Sequence, residues 1–161
     1  MATSGNNNFI GVGGLVVRDD SYLMVKHAYG EYCGWWILPG GRVSAGEAIH
    51  TAVEREIHEE TGITAEARDV IALRSRCRDA TTTDLYMVFL MTYKDGEPAA
   101  DGREVDDARF FSGNKLMAMD NVIILSRIII GAHMDNTLRM LPRNTLFDPY
   151  SADCREAQLF M

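Results

Sequence analysis

Residues 41–63 read GRVSAGEAIHTAVEREIHEETGI, and the spacing of apolar residues in this run admits one regular structure. Ser44 followed by Glu47 makes an S-x-x-E signature, in which each side chain can satisfy an orphan amide at a helix start. A helix is therefore expected from near Ala45 to near Thr61, with Gly62 as its left-handed closing residue and Ile63 placed for the accompanying apolar contact. Advancing about 100° per residue from Glu56 puts Ile49, Glu60, Val53 and Ile57 in one arc, with Ala52 and Glu59 just before it. Three carboxylates thus share the inward arc, while Glu47, Thr51, Glu54 and His58 fall on the solvent side expected of an amphipathic helix.

Carboxylates four apart on a helix repel by about a few tenths of a kcal/mol, and burial without a partner costs several more. Arg55 can reach Glu59 or a neighbouring loop, but one guanidinium does not balance three carboxylates. A further cation is expected. Clustered hard oxygen ligands with neither histidine nor cysteine among them favour Mg²⁺, with Mn²⁺ as a substitute, over zinc.

The segment resembles the Nudix box, a pattern of glycine, glutamate, arginine–glutamate, a glutamate pair and a closing glycine at fixed spacing. Gly41, Glu47, Arg55, Glu56, Ile57, Glu59, Glu60, Gly62 and Ile63 fill it without gap or substitution, and Trp36-Ile37-Leu38-Pro39-Gly40 resembles the usual lead-in. With the flanking pattern, the likeness extends over about residues 9–117. It implies an α/β/α sandwich around a mixed β-sheet and hydrolysis of a nucleoside diphosphate linked to another group.

By position in the box, the resemblance makes Glu56 and Glu60 the principal metal ligands and Glu59 a further ligand or general base. Glu47 is given support first and a ligand role second, since its capping geometry already explains it. Arg55 would orient the glutamates, while Gly40 and Gly41 let the backbone approach metal and phosphate closely, the Gly41 carbonyl being a possible ligand. Family members usually draw one more acidic group from a later loop. Glu104 is the candidate in the segment Glu104 to Phe111, with Asp106 and Asp107 as alternatives and a solvated acidic turn as the plainer reading.

At 161 residues and 47 % hydrophobic composition, the chain suits one core rather than two. Residues 1–8 read as a polar disordered lead, 9–141 as a single domain and 142–161 as a tail without an assignable motif. No basic-then-apolar leader is present in the sequence, so a cytoplasmic location is expected. Cys33, Cys77 and Cys154 match neither a zinc framework nor a disulfide scaffold. A net charge of −7 argues against binding duplex nucleic acid, which relies on clustered Lys and Arg, but not against a small nucleotide held through metal ions.

Phe9 to Val17 and Tyr22 to Ala28 read as a hairpin, in which Gly11, Gly13 and Gly14 are small residues of a crowded strand rather than a dinucleotide loop, because no helix follows. Further strands are expected at Thr64 to Arg78, Asp84 to Lys94 and Val105 to Phe111. Arg74, Arg76 and Arg78 alternate on one strand face, where they either meet substrate phosphate or guard an exposed edge. Val122 to Ile130 reads as a helix apolar almost all round, too short to span a membrane, and covered by the sheet or by a homodimer contact.

Trp35, Trp36, Tyr22, Tyr29 and Tyr32 can stack on a base or simply fill the core. The downstream proline associated with many ADP-ribose pyrophosphatases is missing. A nucleoside triphosphate, in a reaction of the MutT-like type, is narrowly the leading substrate expectation, ahead of ADP-ribose, a nucleotide sugar or a dinucleoside polyphosphate. Two alternatives of other classes stand beside it: a nucleotide-sensing module without turnover, and an isoprenoid diphosphate isomerase, for which Cys33 would have to be catalytic.

Overall fold

Strand β1 (Phe9–Arg18) carries six consecutive buried residues, so both of its faces must be covered. Val12 and Val16 point to one side and Leu15 to the other, as a two-residue period requires. The computed structural model describes residues 8–77, 82–144 and 159–160. The expected hairpin forms: β1 turns into β2 (Ser21–His27) through Asp19 and Asp20, both left-handed at φ 48° and 57°, the backbone that a two-residue hairpin loop needs.

β1 and β2 diverge beyond the turn. β1 pairs with β4 (Gly40–Arg42) along Gly11 to Gly13, whereas β2 pairs with β3 (Trp36–Ile37) and with β7 (Val105–Ser112). On its other edge β1 runs parallel to β6 (Thr83–Asp95), which is antiparallel to β5 (Thr64–Cys77). The sheet is therefore mixed. β8 (Leu141–Asn144) pairs with β5 at Asp69 and Val70, and β9 (Leu159–Phe160) pairs with β8, so part of the C-terminal stretch extends the sheet. The β8 pairing reaches β5 only at Asp69 and Val70, short of the arginines at 74 and 76.

Helix α1 (Ile49–Thr61) covers one face, packing Ala52, Val53 and Ile57 against Val12, Val16, Leu23, Phe89 and Met91. Each such buried aliphatic side chain contributes about 1.5–3 kcal/mol. Gly14 is what lets α1 approach, since a Cβ there would lie 2.4 Å from Ile57 Cδ1. Helices α2 (Gly113–Ala118) and α3 (Ile124–Met134) cover the other face through Leu116, Ile129 and Ile130. Trp36 packs edge-on against Phe111 in that second core, with ring centroids 4.7 Å apart. The result is an α/β/α sandwich around a mixed sheet.

α3 is covered by the sheet on one side only. Its apolar residues are not all covered: Ile124 and Ile128, one turn apart, stay 67 % and 61 % exposed. Among the described residues no helix is long and apolar enough to cross a membrane. Cys33 and Cys77 are exposed free thiols, and Cys154 lies outside the described residues.

Candidate active site

α1 begins at Ile49, four residues later than the capping signature suggested. Gly46 adopts φ +77°, a left-handed turn that interrupts any helix starting at Ala45. Half of the capping box nevertheless forms, because the Ser44 amide donates to Glu47 Oε2 over 3.0 Å; the Ser44 hydroxyl caps nothing, and the residue preceding the helix, Ala48, has no side-chain cap. The C-terminal end is as the sequence indicated. Gly62 sits at φ +69° and its N–H returns to the His58 carbonyl over 2.9 Å, with Ile63 fully buried beside it.

The wheel arithmetic misplaces three glutamates, and in each case a specific partner is the reason. Glu47 lies in the loop rather than on the helix, and its side chain is only 14 % exposed because the Arg55 guanidinium holds both oxygens, at 2.8 and 2.9 Å. Glu54 accepts the Ala67 amide over 2.8 Å, beside the ladder irregularity between Ala67 and Asp69. Glu59 is exposed and turned to Arg55 Nη1 over 2.9 Å. The same Nη1 also reaches Glu56 Oε1 over 2.9 Å. Arg55 therefore engages Glu47, Glu56 and Glu59 at once, one positive charge against three carboxylates, and does not reach Glu60.

Glu60 is the exception. It is 5 % exposed and is held by the Gly40 amide, which donates to Oε2 over 2.8 Å. Burial pushes its carboxyl up to about 8, and the neighbouring Glu56, Glu104 and Asp101 push the same way. Burial also raises Glu56, against the lowering influence of Arg55. Glu47 is the opposite case: the Arg55 hydrogen bonds pull it down to about 2.

Two glycines make this packing possible. Gly40 adopts φ +151° with its Cα against β1, where a Cβ would meet the Val12 carbonyl oxygen at 2.1 Å. At Gly41 a Cβ would lie 2.4 Å from the Glu56 carboxyl carbon. The β1–β4 register, Gly13 opposite Gly40 and Val12 opposite Gly41, thus sets the strand directly over the carboxylates of α1.

Glu56, Glu59 and Glu60 line one cleft of about 580 Å³ together with Asp101, Arg103 and Glu104. The loop before β7 therefore delivers Glu104 to the helix, as expected. Asp107 is instead paired with Arg109, and neither it nor Asp106 lines the cleft. Asp101 and Arg103 were missed in the sequence; the Asp101-Gly102 dipeptide, a turn signal, was the available cue.

The remaining candidates scatter. Arg76 Nε donates to Asp84 Oδ2 and Arg74 Nη2 to Asp84 Oδ1, both over 2.7 Å, so each is committed to a buried carboxylate. Arg78 lies outside the described residues. Trp36 belongs to the core and Tyr22 is buried against His133, 2.9 Å from its Nδ1, so neither offers a stacking face; Trp35, Tyr29 and Tyr32 are exposed.

The donor set fits a hard divalent cation. Glu60 is buried among further carboxylates with one amide as its only described hydrogen-bond partner, and Gly41 lets the Glu56 carboxylate lie against the strand backbone where any Cβ would clash. Among the described residues no three acidic, histidine or cysteine side chains are yet gathered closely enough to hold a metal ion. Arg55 instead stands as the cation shared by Glu47, Glu56 and Glu59.

Comparisons with known proteins bear on the family and the fold. The family model described as NUDIX domain matches residues 8–129. An ADP-ribose pyrophosphatase of Methanocaldococcus jannaschii is 33 % identical over 119 residues, which are 72 % of this chain and 70 % of that protein. Three further relatives are longer proteins, of which the chain spans 31 %, 15 % and 18 %. Among solved structures, a MutT NUDIX hydrolase from Burkholderia pseudomallei superposes with a TM-score of 0.68 at 27 % identity, over 78 % of this chain and 97 % of that one. A NUDIX hydrolase from Nitrosomonas europaea gives 0.73 at 21 % identity over 91 % and 100 %, a likeness of fold alone. With the box, the sandwich and the carboxylate cleft all in place, the chain belongs to the Nudix hydrolase family.

Proposed function

We propose that the chain hydrolyses a phosphoanhydride bond of a nucleoside diphosphate carrying a further group, using Mg²⁺, or Mn²⁺ in its place, held by Glu56 and Glu60. The observation that carries this reading is the cleft in which buried Glu60, half-buried Glu56 and loop residue Glu104 face one another. When bound, the cation offsets charge developing on phosphoryl oxygens and lowers the pKa of an attacking water. The residues of the chain do the positioning. Arg55 fixes Glu56 and Glu59 through one nitrogen, and Gly40 fixes Glu60. In this reading Glu59, exposed in the cleft, takes a proton from water, and Glu104 supplies a further acidic group from the loop before β7. Arg103 is the cationic residue lining this cleft and suits a substrate phosphate.

For the substrate, a nucleoside triphosphate cleaved in the MutT-like manner is our first reading, and the resemblance to the Burkholderia MutT hydrolase supports it. ADP-ribose is the second, favoured by the identity to the archaeal ADP-ribose pyrophosphatase. The test is release of phosphate or pyrophosphate from dNTPs, ADP-ribose, nucleotide sugars and dinucleoside polyphosphates with Mg²⁺, with Glu60→Gln as control. One preferred substrate, silent in the variant, supports the hydrolase reading and names its branch. Metal-dependent binding without turnover across the whole panel would overturn it in favour of a sensing module.

A further inference from the structure

The loop carrying Glu104 is organised by one side chain. Asp101 Oδ1 accepts three successive backbone amides, those of Arg103 at 2.9 Å, Glu104 at 3.1 Å and Val105 at 3.0 Å. Gly102 takes the left-handed φ of +69° that such a turn demands, and its own amide donates to the Val105 carbonyl over 3.1 Å. On the outer side, the Glu104 carbonyl accepts the Ala28 amide over 3.0 Å. Glu104 is thus pinned at both backbone groups.

Charge makes the choice of aspartate informative. Asp101 stands in a cleft already lined by Glu56, Glu59, Glu60 and Glu104, and its negative charge adds to the cost of ionising Glu60. Burial raises the Asp101 carboxyl, but the three amides outweigh that and leave it below its ordinary range, hence ionised at neutral pH. In the protein without metal this charge is a liability. The geometry needs only one oxygen, because Oδ1 takes all three bonds of 2.9–3.1 Å while Oδ2 receives one long contact of 3.4 Å.

We propose that Asp101 is a positioning residue which holds Glu104 over the Glu56–Glu60 pair, so that the second wall of the metal site is built by a backbone turn rather than by side-chain packing. This rests on the assignment of Glu104 above, and on one oxygen of Asp101 rather than its charge. Asparagine should therefore replace it and alanine should not.

The test is calorimetric titration of the full chain with Mn²⁺ alone, which needs no substrate. The set comprises the wild type, Asp101→Ala, Asp101→Asn, Glu104→Gln and the Asp101→Ala/Glu104→Gln double variant, with thermal unfolding to confirm that each is folded. Asp101→Ala should weaken Mn²⁺ binding by about 10-fold or more, the range for losing an outer partner of a metal site. Asp101→Asn should recover most of that loss. In the Glu104→Gln background, Asp101→Ala should add no more than about a further twofold, since coupled residues are non-additive. Multiplicative losses in the double variant, or an Asp101→Ala protein that binds as wild type while Glu104→Gln does not, would overturn the inference. If Glu104→Gln itself binds as wild type, it is the assignment of Glu104 that fails.

Discussion

The Gly40 amide and the Glu60 carboxylate meet at 2.8 Å across twenty residues of sequence, and this bond joins the sheet to the helix at the bottom of the cleft. It gives a buried carboxylate one donor and leaves the rest of its charge to be met from the cleft. The consequences are measurable as pH dependence. A carboxyl whose folded pKa is raised is bound more tightly by its proton in the folded chain than in the unfolded one, so ionising it costs stability.

For Glu60 the window runs from the ordinary 4.5 up to about 8. Its contribution is whole below that window and is lost as pH climbs through it, an effect on the order of a few kcal/mol. In EDTA, the melting temperature should fall from about pH 5 to about pH 8, and Mg²⁺ should remove most of that fall. A metal-free melting temperature that climbs over this range would refute the reading of Glu60.

Glu60→Gln keeps an acceptor for the Gly40 amide and removes the buried charge. The metal-free variant should be more stable than wild type near pH 8, by about 1–3 kcal/mol, and should no longer respond to Mg²⁺. Its turnover should drop by more than the roughly 10–100-fold expected for losing an outer-shell partner. Denaturant midpoints with and without Mg²⁺, read beside kcat, check all three at once.

Arg55→Lys tests the shared cation. A lysine cannot take both oxygens of Glu47 in a fork while reaching Glu56 and Glu59. Arg55 pulls Glu47 down to about 2, so the stability it lends is present above 4.5 and is lost as pH falls towards 2. The variant should lose roughly 1 kcal/mol at neutral pH after allowance for partial solvent screening, and its acid-unfolding curve should be shallower. Equal acid-unfolding profiles for the two proteins would show that the fork contributes nothing.

The adjacent glycines should separate fold from function. Gly40→Ala drives a Cβ onto the Val12 carbonyl at a positive φ, so we expect a stability loss of more than about 2 kcal/mol. Gly41→Ala meets the Glu56 carboxylate first, the end of a side chain that can turn aside, so stability should change by less than about 1 kcal/mol while metal affinity and turnover fall. Urea unfolding beside a Mn²⁺ titration distinguishes the two, and a Gly41→Ala protein with wild-type metal affinity would remove Glu56 from the site.

Local chemistry was legible in the sequence wherever it is short-ranged. The left-handed Gly62, the inward faces of Val53 and Ile57, the β1–β2 hairpin and the strands β5 to β7 all follow from turn residues and periodicity, which act within a few positions. The resemblance likewise points to Glu56 and Glu60 in residues 41–63 and to Glu104 in a later loop, and the cleft gathers all three. The late start of α1 was not legible. A capping signature predicts hydrogen bonds, and one of them formed, yet Gly46 gave the chain a cheaper turn.

What the sequence by itself determined is the apolar inward face of α1, with Ala52, Val53 and Ile57, and the chemistry the side chains carry, because apolar period and side-chain type are properties of the chain. Only the tertiary structure decided how charge is distributed among them. Arg55 finds Glu47 eight residues away, Asp84 takes Arg74 and Arg76 out of contention, and Gly40 arrives from a strand to hold Glu60. Electrostatic energies vary with distance and local dielectric, and both are set by the packing of β1 and β4 against α1 rather than by any spacing along the chain.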